Sequence, residues 1–270
     1  EFGTKLLWAE RQAQARLAPQ IAALHADLER AFAVAFDDSA HVLTMYASHD
    51  DALATLRAHA ATPGESGALH LDIRFTGSVD AIRALNEGRC TLAGFHTLEQ
   101  PAASSLAART YKPLLQPGLH KIIGFAKRTQ GLIVAKGNPL GLQSLADVAR
   151  TGARFVNRPL GSGTRVLLED QLALAGLTGQ HITGFDRDEP SHTAVAQAVV
   201  AGAADAGLGI EIAARARGLA FVPLVDEHYH LACLKSSLEQ PATRALRALL
   251  LSPAWQLHMA QLPGYTPMRS

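Results

Sequence analysis

The sequence predicts an α/β protein in which a mostly parallel sheet is connected by helical crossovers. From His41 onward, short apolar runs typical of strands alternate with longer stretches that have helical spacing. Glycine- and proline-containing turns separate these segments. With 270 residues, 48% of them hydrophobic and 18% charged, the chain suffices for one large domain or two lobes of roughly 100 residues each.

The first predicted element is a long helix over residues 5–36. Its opposite faces differ in polarity, and the apolar face carries a stripe at spacings of three and four residues: Leu17, Ile21, Leu24, Leu28 and Phe32. Pro19 is expected to kink or break this helix. The helix packs on its own domain or links and dimerises the protein, and its position before the first strand favours the linker. Residues 1–4 read as a cloning scar, so we expect the native protein to extend further at this end.

The remaining elements follow from local apolar periodicity and turn residues. Strands are predicted at 41–47, 70–75, 91–95, 121–126, 131–135, 153–157, 205–209, 220–224 and 229–234. Helices are predicted at 50–60, 78–87, 144–150, 164–175, 193–202, 210–217, 241–251 and 253–261.

The composition argues against several classes of protein. A net charge of +1 is not typical of a domain that binds the nucleic-acid backbone. The two cysteines, Cys90 and Cys233, exclude a disulfide-rich scaffold and favour buried free thiols in a reducing cytoplasm. No run of 18 apolar residues predicts a membrane span. Among twelve histidines only His228 and His230 are close together, without carboxylates or cysteines at zinc spacing, so we expect no metal.

Four predicted helices begin with hydroxyl residues directly after a strand or turn. In an α/β fold, ligands bind outside the carboxyl ends of the strands, where free backbone N–H groups at helix N-termini attract anions. The third start is the most suggestive, because two glycines flank Ser162 and let the backbone approach a ligand. The residues concerned are Ser48, Ser78, Ser162, Gly163, Thr164 and Thr193.

Each of these residues has a simpler interpretation, since serine and threonine are ordinary N-caps that bind only their own helix. Arg158 and Arg165 flank the third start and could bind an anion through a bidentate fork, or equally pair with carboxylates. The glycine turn lacks the lysine of a nucleotide P-loop and the outer glycines of a nucleophile elbow.

Several segments resemble the periplasmic-binding-protein-like domain of molybdate-responsive, ModE/LysR-type regulators. They are Ala47-Ser-His-Asp50, Thr76-Gly-Ser78, Gly131 to Pro139, Asn157-Arg-Pro-Leu-Gly-Ser-Gly-Thr-Arg-Val-Leu-Leu168, Ser191-His-Thr-Ala-Val-Ala196 and Ala203-Ala-Asp-Ala-Gly-Leu-Gly209. Residues 3–31 are similar to the end of a winged helix-turn-helix domain with its linker helix.

The resemblance implies a two-lobed type II binding-protein fold with an N-terminal linker helix and a ligand between the lobes. Lobe one would comprise 38–128 with 228–270, and lobe two 129–227. The implied ligand positions are Ser48, His49, Ser78, Arg158, Ser162, Gly163, Thr164, Arg165, Thr193 and Tyr229, with His192 as a further candidate.

The function implied by the resemblance is that of an effector-binding sensor in a cytoplasmic transcription regulator that forms a homodimer or a higher homo-oligomer. Its effector would be an oxyanion such as molybdate or tungstate, without another cofactor, and DNA would be bound only through a missing N-terminal winged helix-turn-helix domain. A transporter's solute-binding protein is the alternative. An enzyme that handles acyl or phosphoryl groups with Ser162 is less favoured, because no base–nucleophile pair is visible in the spacing.

Overall fold

The fold was examined in a computed structural model that describes residues 2–36, 41–61, 69–98 and 105–268. Glu1 of the predicted scar, and the predicted lobe-one limits at residues 38 and 270, lie outside the described residues.

The strands and helices of the described residues alternate along most of the chain. The strands are β1 (His41–Ala47), β2 (Leu69–Phe75), β3 (Leu92–Leu98), β4 (His120–Val134), β5 (Phe155–Val156), β6 (Ala206–Ile210), β7 (Ala220–Leu234) and β8 (Tyr265–Pro267). The α-helices are α1 (Phe2–Phe36), α2 (Asp51–Ala61), α3 (Ser78–Asn86), α4 (Leu106–Tyr111), α5 (Leu145–Thr151), α6 (Gly163–Leu174), α7 (His192–Val200), α8 (Glu211–Arg215), α9 (Pro241–Leu251) and α10 (Pro253–Gln261).

The sheet is mixed, and the prediction of a mostly parallel sheet is wrong. The strand order is β2-β1-β3-β7-β4-β6-β5, with β8 paired to β4. Only the pairs β1–β2, β1–β3 and β5–β6 are parallel. The strands β4 and β7 enter the centre of the sheet antiparallel to their neighbours, which local periodicity cannot reveal.

Each of these two central strands was predicted as shorter pieces. The predicted pieces 121–126 and 131–135 belong to the single strand β4, which ends one residue before the second piece does, and 220–224 and 229–234 belong to β7. The two strands pair along 15 residues, with register shifts between Gly124 and Ala126 and between Gln130 and Gly131. These bulges interrupt the alternation of apolar and polar residues along the two strands, so each strand was predicted as two pieces. One end of the pair joins β3, the other joins β6, and so the two strands connect the two lobes.

Buried side chains form apolar clusters on both faces of this sheet. One cluster packs α3 and α4 against β3, and another packs α5 and α6 against β4 and β6. The largest extends from β1 and β2 to α7, α9 and α10. The short elements α4 and β8 were not predicted, because six and three residues are too few to show a helical or strand period in the sequence.

Helix α1 continues through Pro19, so the predicted break is absent. Its contacts are with β2 in lobe one and with α7 in lobe two. The stripe of Leu17, Ile21, Leu24, Leu28 and Phe32 faces solvent and is between 49% and 68% exposed. Within the described part of the chain, no helix is long and apolar enough to cross a membrane.

Candidate anion-binding cleft

The helix starts that were predicted to bind a ligand are capped in different ways. The Ser162 Oγ accepts a hydrogen bond from the Arg165 amide at 3.2 Å and is the N-cap of α6. Ser191, rather than Thr193, caps α7 by accepting from the Ala194 amide at 3.0 Å. Helix α2 uses Asp50, whose Oδ1 accepts from the Ala52 amide at 2.8 Å. The N-cap of α3 is a glycine with no capping side chain.

Two of these turns, one from each lobe, touch directly across the cleft. The Val79 amide donates to the Gly161 carbonyl at 3.4 Å. A Cβ at Gly77 would lie 2.6 Å from that carbonyl oxygen, and a Cβ at Gly163 would lie 2.8 Å from Ser78 Oγ. The turns can meet this closely only because glycines occupy the contact.

A cavity of about 240 Å³ lies beside this contact, at the mouth of the cleft. Both lobes and helix α1 contribute to its walls. The lining residues are Arg16, Gln20, His49, Phe75, Thr76, Gly77, Arg158, Pro159, Leu160, Ser162 and Pro190. Two of them are arginines and none is a carboxylate, so the cavity is electrostatically suited to an anion.

Arg158 is the residue that gives this cavity its chemistry. The side chain is buried, and its Nη2 donates to the Pro190 carbonyl at 3.0 Å. Its Nε and Nη1 are buried and have no hydrogen-bond partner among the described residues. Burial, and then the positive charge of Arg128, lowers the pKa of Arg158 to about 10, so the guanidinium remains charged at neutral pH. Two buried N–H groups without partners make an incomplete site, which an anion with more than one acceptor oxygen would complete.

Arg128, by contrast, is already neutralised. It lies 1% exposed in β4 and donates to the carboxylates of Asp50 and Glu227. Burial lowers the pKa of Arg128, but these two carboxylates outweigh it and raise the pKa above its ordinary value. Gln130 extends the network by donating to Glu227 Oε1 at 2.9 Å and to Thr164 Oγ1 at 3.1 Å. This network joins the lobes and pairs the charge of Arg128, whereas Arg158 has no carboxylate hydrogen-bond partner among the described residues.

Three histidines near these arginines are uncharged at neutral pH. Burial, followed by the charge of Arg158, lowers the pKa of His49 to about 4. The pKa values of His96 and His192 are also lowered, chiefly by burial and then by arginine charges. The buried His192 Nδ1 has no hydrogen-bond partner among the described residues.

The structure places the predicted ligand residues unevenly. Of that set, His49, Arg158 and Ser162 line the cavity. Ser48 and Ser78 are buried and hydrogen-bonded to each other at 3.0 Å, next to Gly163. These positions lie together at the contact between the lobes.

Four other predicted positions do not line the cavity. The Thr164 hydroxyl accepts from Gln130, and Tyr229 donates to the Ser48 carbonyl at 3.3 Å. Arg165 pairs with Glu169 at 2.8 Å and lies over the Phe185 ring at 4.0 Å. Thr193 is half-buried in the first turn of α7 and is absent from the cavity wall.

Sequence reasoning missed most of the buried polar network and both cavity residues of α1. Arg128, Gln130 and Glu227 are charged or amide residues inside strands, a departure from apolar patterning that could have identified them. His96 in β3 carries the same signal. Nothing in the periodicity of α1 distinguishes Arg16 from its other polar residues.

A second cavity, of about 450 Å³, lies between α1 and lobe two. Its walls include Trp8, Gln12, Arg187 and Glu189. The buried atom without a partner there is Gln12 Oε1, an acceptor, which does not attract an anion. The smaller cavity at Arg158 is therefore the candidate site. Within the ranges that the structure describes, no group of three or more potential metal ligands occurs.

Comparison with known proteins agrees with this architecture. A family model for a PBP superfamily domain matches residues 60–251. The uncharacterised protein YvgK of Bacillus subtilis is 32% identical over 192 residues, which are 71% of this chain and 61% of YvgK. This chain therefore spans less than two thirds of that relative.

Solved structures show the same fold at low sequence identity. The effector-binding domain of QuiR in complex with shikimate has a TM-score of 0.59 and 16% identity, over 78% of this chain and 95% of that one. A putative phosphate transporter substrate-binding protein from Clostridium perfringens, with bound phosphate, has a TM-score of 0.61 and 13% identity, over 85% and 100%.

The sheet order, the two long strands that connect the lobes and the matched family model all agree. The chain belongs to the PBP superfamily and has a two-lobed, periplasmic-binding-protein-like fold.

Proposed function

We propose that this protein is the effector-binding domain of a cytoplasmic, one-component transcription regulator, and that it binds a small anion in the interlobe cavity. The observation that carries the anion is Arg158, whose charged, buried guanidinium has two N–H groups without partners. Molybdate and tungstate remain the first oxyanions to test. The proposal assigns no reaction and no further cofactor to the cleft.

Helix α1 supports the regulator in preference to a transport protein. It extends over 35 residues, packs on both lobes and leaves an apolar stripe in solvent, as a linker to another domain or subunit would. The effector domain of QuiR shares the fold. In this proposal, DNA is contacted by an N-terminal domain of the full-length regulator.

A solute-binding protein for an oxyanion transporter is the second candidate. It is favoured by the phosphate-bound structure from C. perfringens, which matches over its whole length. Sequencing the gene upstream of the segment that encodes α1 separates the two candidates. A helix-turn-helix domain there supports the regulator, whereas a signal peptide directly before α1 supports the transport protein.

The anion is tested by calorimetric titration of molybdate, tungstate, phosphate and shikimate into the wild-type protein and two variants. Arg158→Gln should weaken binding of whichever anion the wild type binds by about 10- to 100-fold. This is the factor expected for the loss of hydrogen bonds to a charged group, which contribute ~1.5–3 kcal/mol. Arg187→Gln is the matched control, because Arg187 lines the other cavity. Equal affinities in Arg158→Gln and wild type would contradict the proposed site.

A further inference from the structure

Helix α1 bridges the two lobes at the mouth of the cleft. On the side of lobe one, Arg74 of β2 donates to Asp27 at 2.8 Å. On the side of lobe two, Gln12 and Arg16 both donate to Glu189, which is 3% exposed and lies just before α7. The helix is thus fastened to both walls of the cleft.

The contact with Glu189 orients Arg16 as a bidentate fork. Its Nε donates to Glu189 Oε2 at 2.8 Å and its Nη2 donates to Oε1 at 2.7 Å. Both Arg16 and Gln20 line the cavity that holds Arg158. The remaining nitrogen of the fork, Nη1, has no partner among the residues that the structure describes. A guanidinium oriented by one carboxylate, beside an anion cavity, can donate the N–H groups of Nη1 to a ligand.

We infer that α1 forms the roof of the anion cavity and that Arg16 is a second ligand contact, opposite Arg158. This inference rests on the proposed anion site. The ligand class is an anion whose acceptor oxygens reach both arginines, one through an unpaired N–H of Arg158 and one through Arg16 Nη1. An inorganic oxyanion or a small organic carboxylate has this chemistry.

The size of the cavity separates these two sources. The cavity volume of about 240 Å³ is close to the lower end of the roughly 300–1,000 Å³ found for pockets that hold small organic ligands. A five-atom oxyanion would share the cavity with water, whereas a carboxylate with a ring or short chain would displace it. The titrations therefore include both kinds of anion.

Because the ligand contacts α1 directly in this inference, α1 responds to whether the cavity holds an anion. An anion held by Arg158 and Arg16 ties α1 to lobe two. Ligand binding then stabilises the arrangement in which α1 contacts both lobes, as required of an element that responds to the ligand.

The test compares Arg16→Gln with Arg11→Gln, a change on the same helix at an exposed arginine that stacks on Trp8 outside the cavity. The affinities of both variants and of Arg158→Gln are measured for tungstate, phosphate and shikimate. Hydrogen exchange of the α1 amides is followed with and without the anion that binds best. Arg16→Gln should weaken that anion about tenfold and abolish the ligand-induced protection of residues 12–20, whereas Arg11→Gln should match the wild type.

Glu189→Gln removes the anchor of Arg16 but keeps the arginine itself. We expect it to loosen α1 without ligand and to retain part of the affinity that Arg16→Gln loses. If Arg158→Gln loses binding while Arg16→Gln retains wild-type affinity, the roof contact is refuted and the anion site stands. If the wild type binds none of the anions, the proposed function is refuted and this inference falls with it.

Discussion

Two arginines in one sequence motif have opposite environments. Arg158 and Arg165 are seven residues apart and both are buried. Arg165 is satisfied by Glu169 and by the Phe185 ring, whereas Arg158 lines the cavity and has two buried N–H groups without partners among the described residues. A buried charge without a partner costs free energy, and a ligand that pairs with it recovers that cost. Arg165 therefore has a structural role, whereas Arg158 is the candidate ligand contact.

Ser162 should matter more for stability than for ligand affinity. Because its Oγ caps α6, Ser162→Ala is expected to lower the free energy of unfolding by about 1 kcal/mol. Ser105→Ala is a matched control, since Ser105 caps α4 outside the cavity wall by accepting from the Ala108 amide at 3.1 Å. Urea unfolding and calorimetry measure the two effects. A large loss of affinity confined to Ser162→Ala would show that its hydroxyl also binds the ligand.

Acid should destabilise the fold through its buried histidines. The pKa values of His96 and His192 lie well below 6.5 in the folded protein, so their stabilising contribution is complete above pH 6.5 and is lost as the pH falls below it. Each such histidine lowers the free energy of unfolding by about 1.4 kcal/mol per pH unit. The pKa of Asp51, raised by burial to about 6, acts in the opposite direction and offsets one histidine.

This pH dependence is measured by urea unfolding between pH 7 and pH 5. His192→Gln should flatten the slope relative to the wild type, while the same change at exposed His25 on α1 should leave it unaltered. An equal slope in all three proteins would contradict the assignment of His192 as a buried neutral imidazole.

At the scale of elements, β4 and β7 combine sheet pairing with a buried ionic link. Arg128 and Glu227 are cross-strand partners in register, and Asp50 and Tyr265 add contacts from lobe one. The predicted lobe boundaries at 128/129 and 227/228 fall at this pair. We therefore propose that any opening of the cleft bends the two strands here, next to the register shift at Gln130 and Gly131.

A methyl group at the interlobe contact should hold the cleft open. Gly77 has an ordinary φ of −67°, so Gly77→Ala introduces no backbone strain, but its Cβ would lie 2.6 Å from the Gly161 carbonyl oxygen. We expect the radius of gyration from small-angle scattering to increase and the affinity for the best anion to fall about tenfold. Unchanged values of both would show that the turns adjust without opening the lobes.

At the scale of the whole molecule, the exposed stripe of α1 is the strongest indication of a partner. A helix with one face on the protein and an apolar stripe in water has area to bury at about 25 cal/mol per Å². The predicted homodimer would bury it against a second copy of α1. Light scattering should show a dimer in the wild type and a monomer in the variant Leu24→Asp with Leu28→Asp.

The control for this prediction is Leu257→Asp, which charges a leucine on α10 that is 63% exposed, in the same range as Leu24 and Leu28. It should leave the mass unchanged. A dimer that survives both changes on α1 would contradict the role of the stripe, and a wild-type monomer would contradict the dimer itself.

Much of this protein could be predicted from local sequence. The α/β class, most helices and the two-lobed fold follow from apolar periods, from turn glycines and from the resemblance carried by Asn157 to Leu168. The turns at Ser48, Ser78 and Ser162 were also identified, because the carboxyl ends of strands in such folds converge on the cleft. These features depend on neighbours within a few residues of one another.

Only the tertiary structure decided which side chains are satisfied. Three features depend on contacts between distant segments: the direction of β4 and β7, the neutralisation of Arg128 by residues 78 and 99 positions away, and the unpaired N–H groups of Arg158. The same holds for α1, whose stripe was predicted but whose place over the cavity was not. A sequence pattern shows which groups can donate, whereas packing determines which of them remain free to bind.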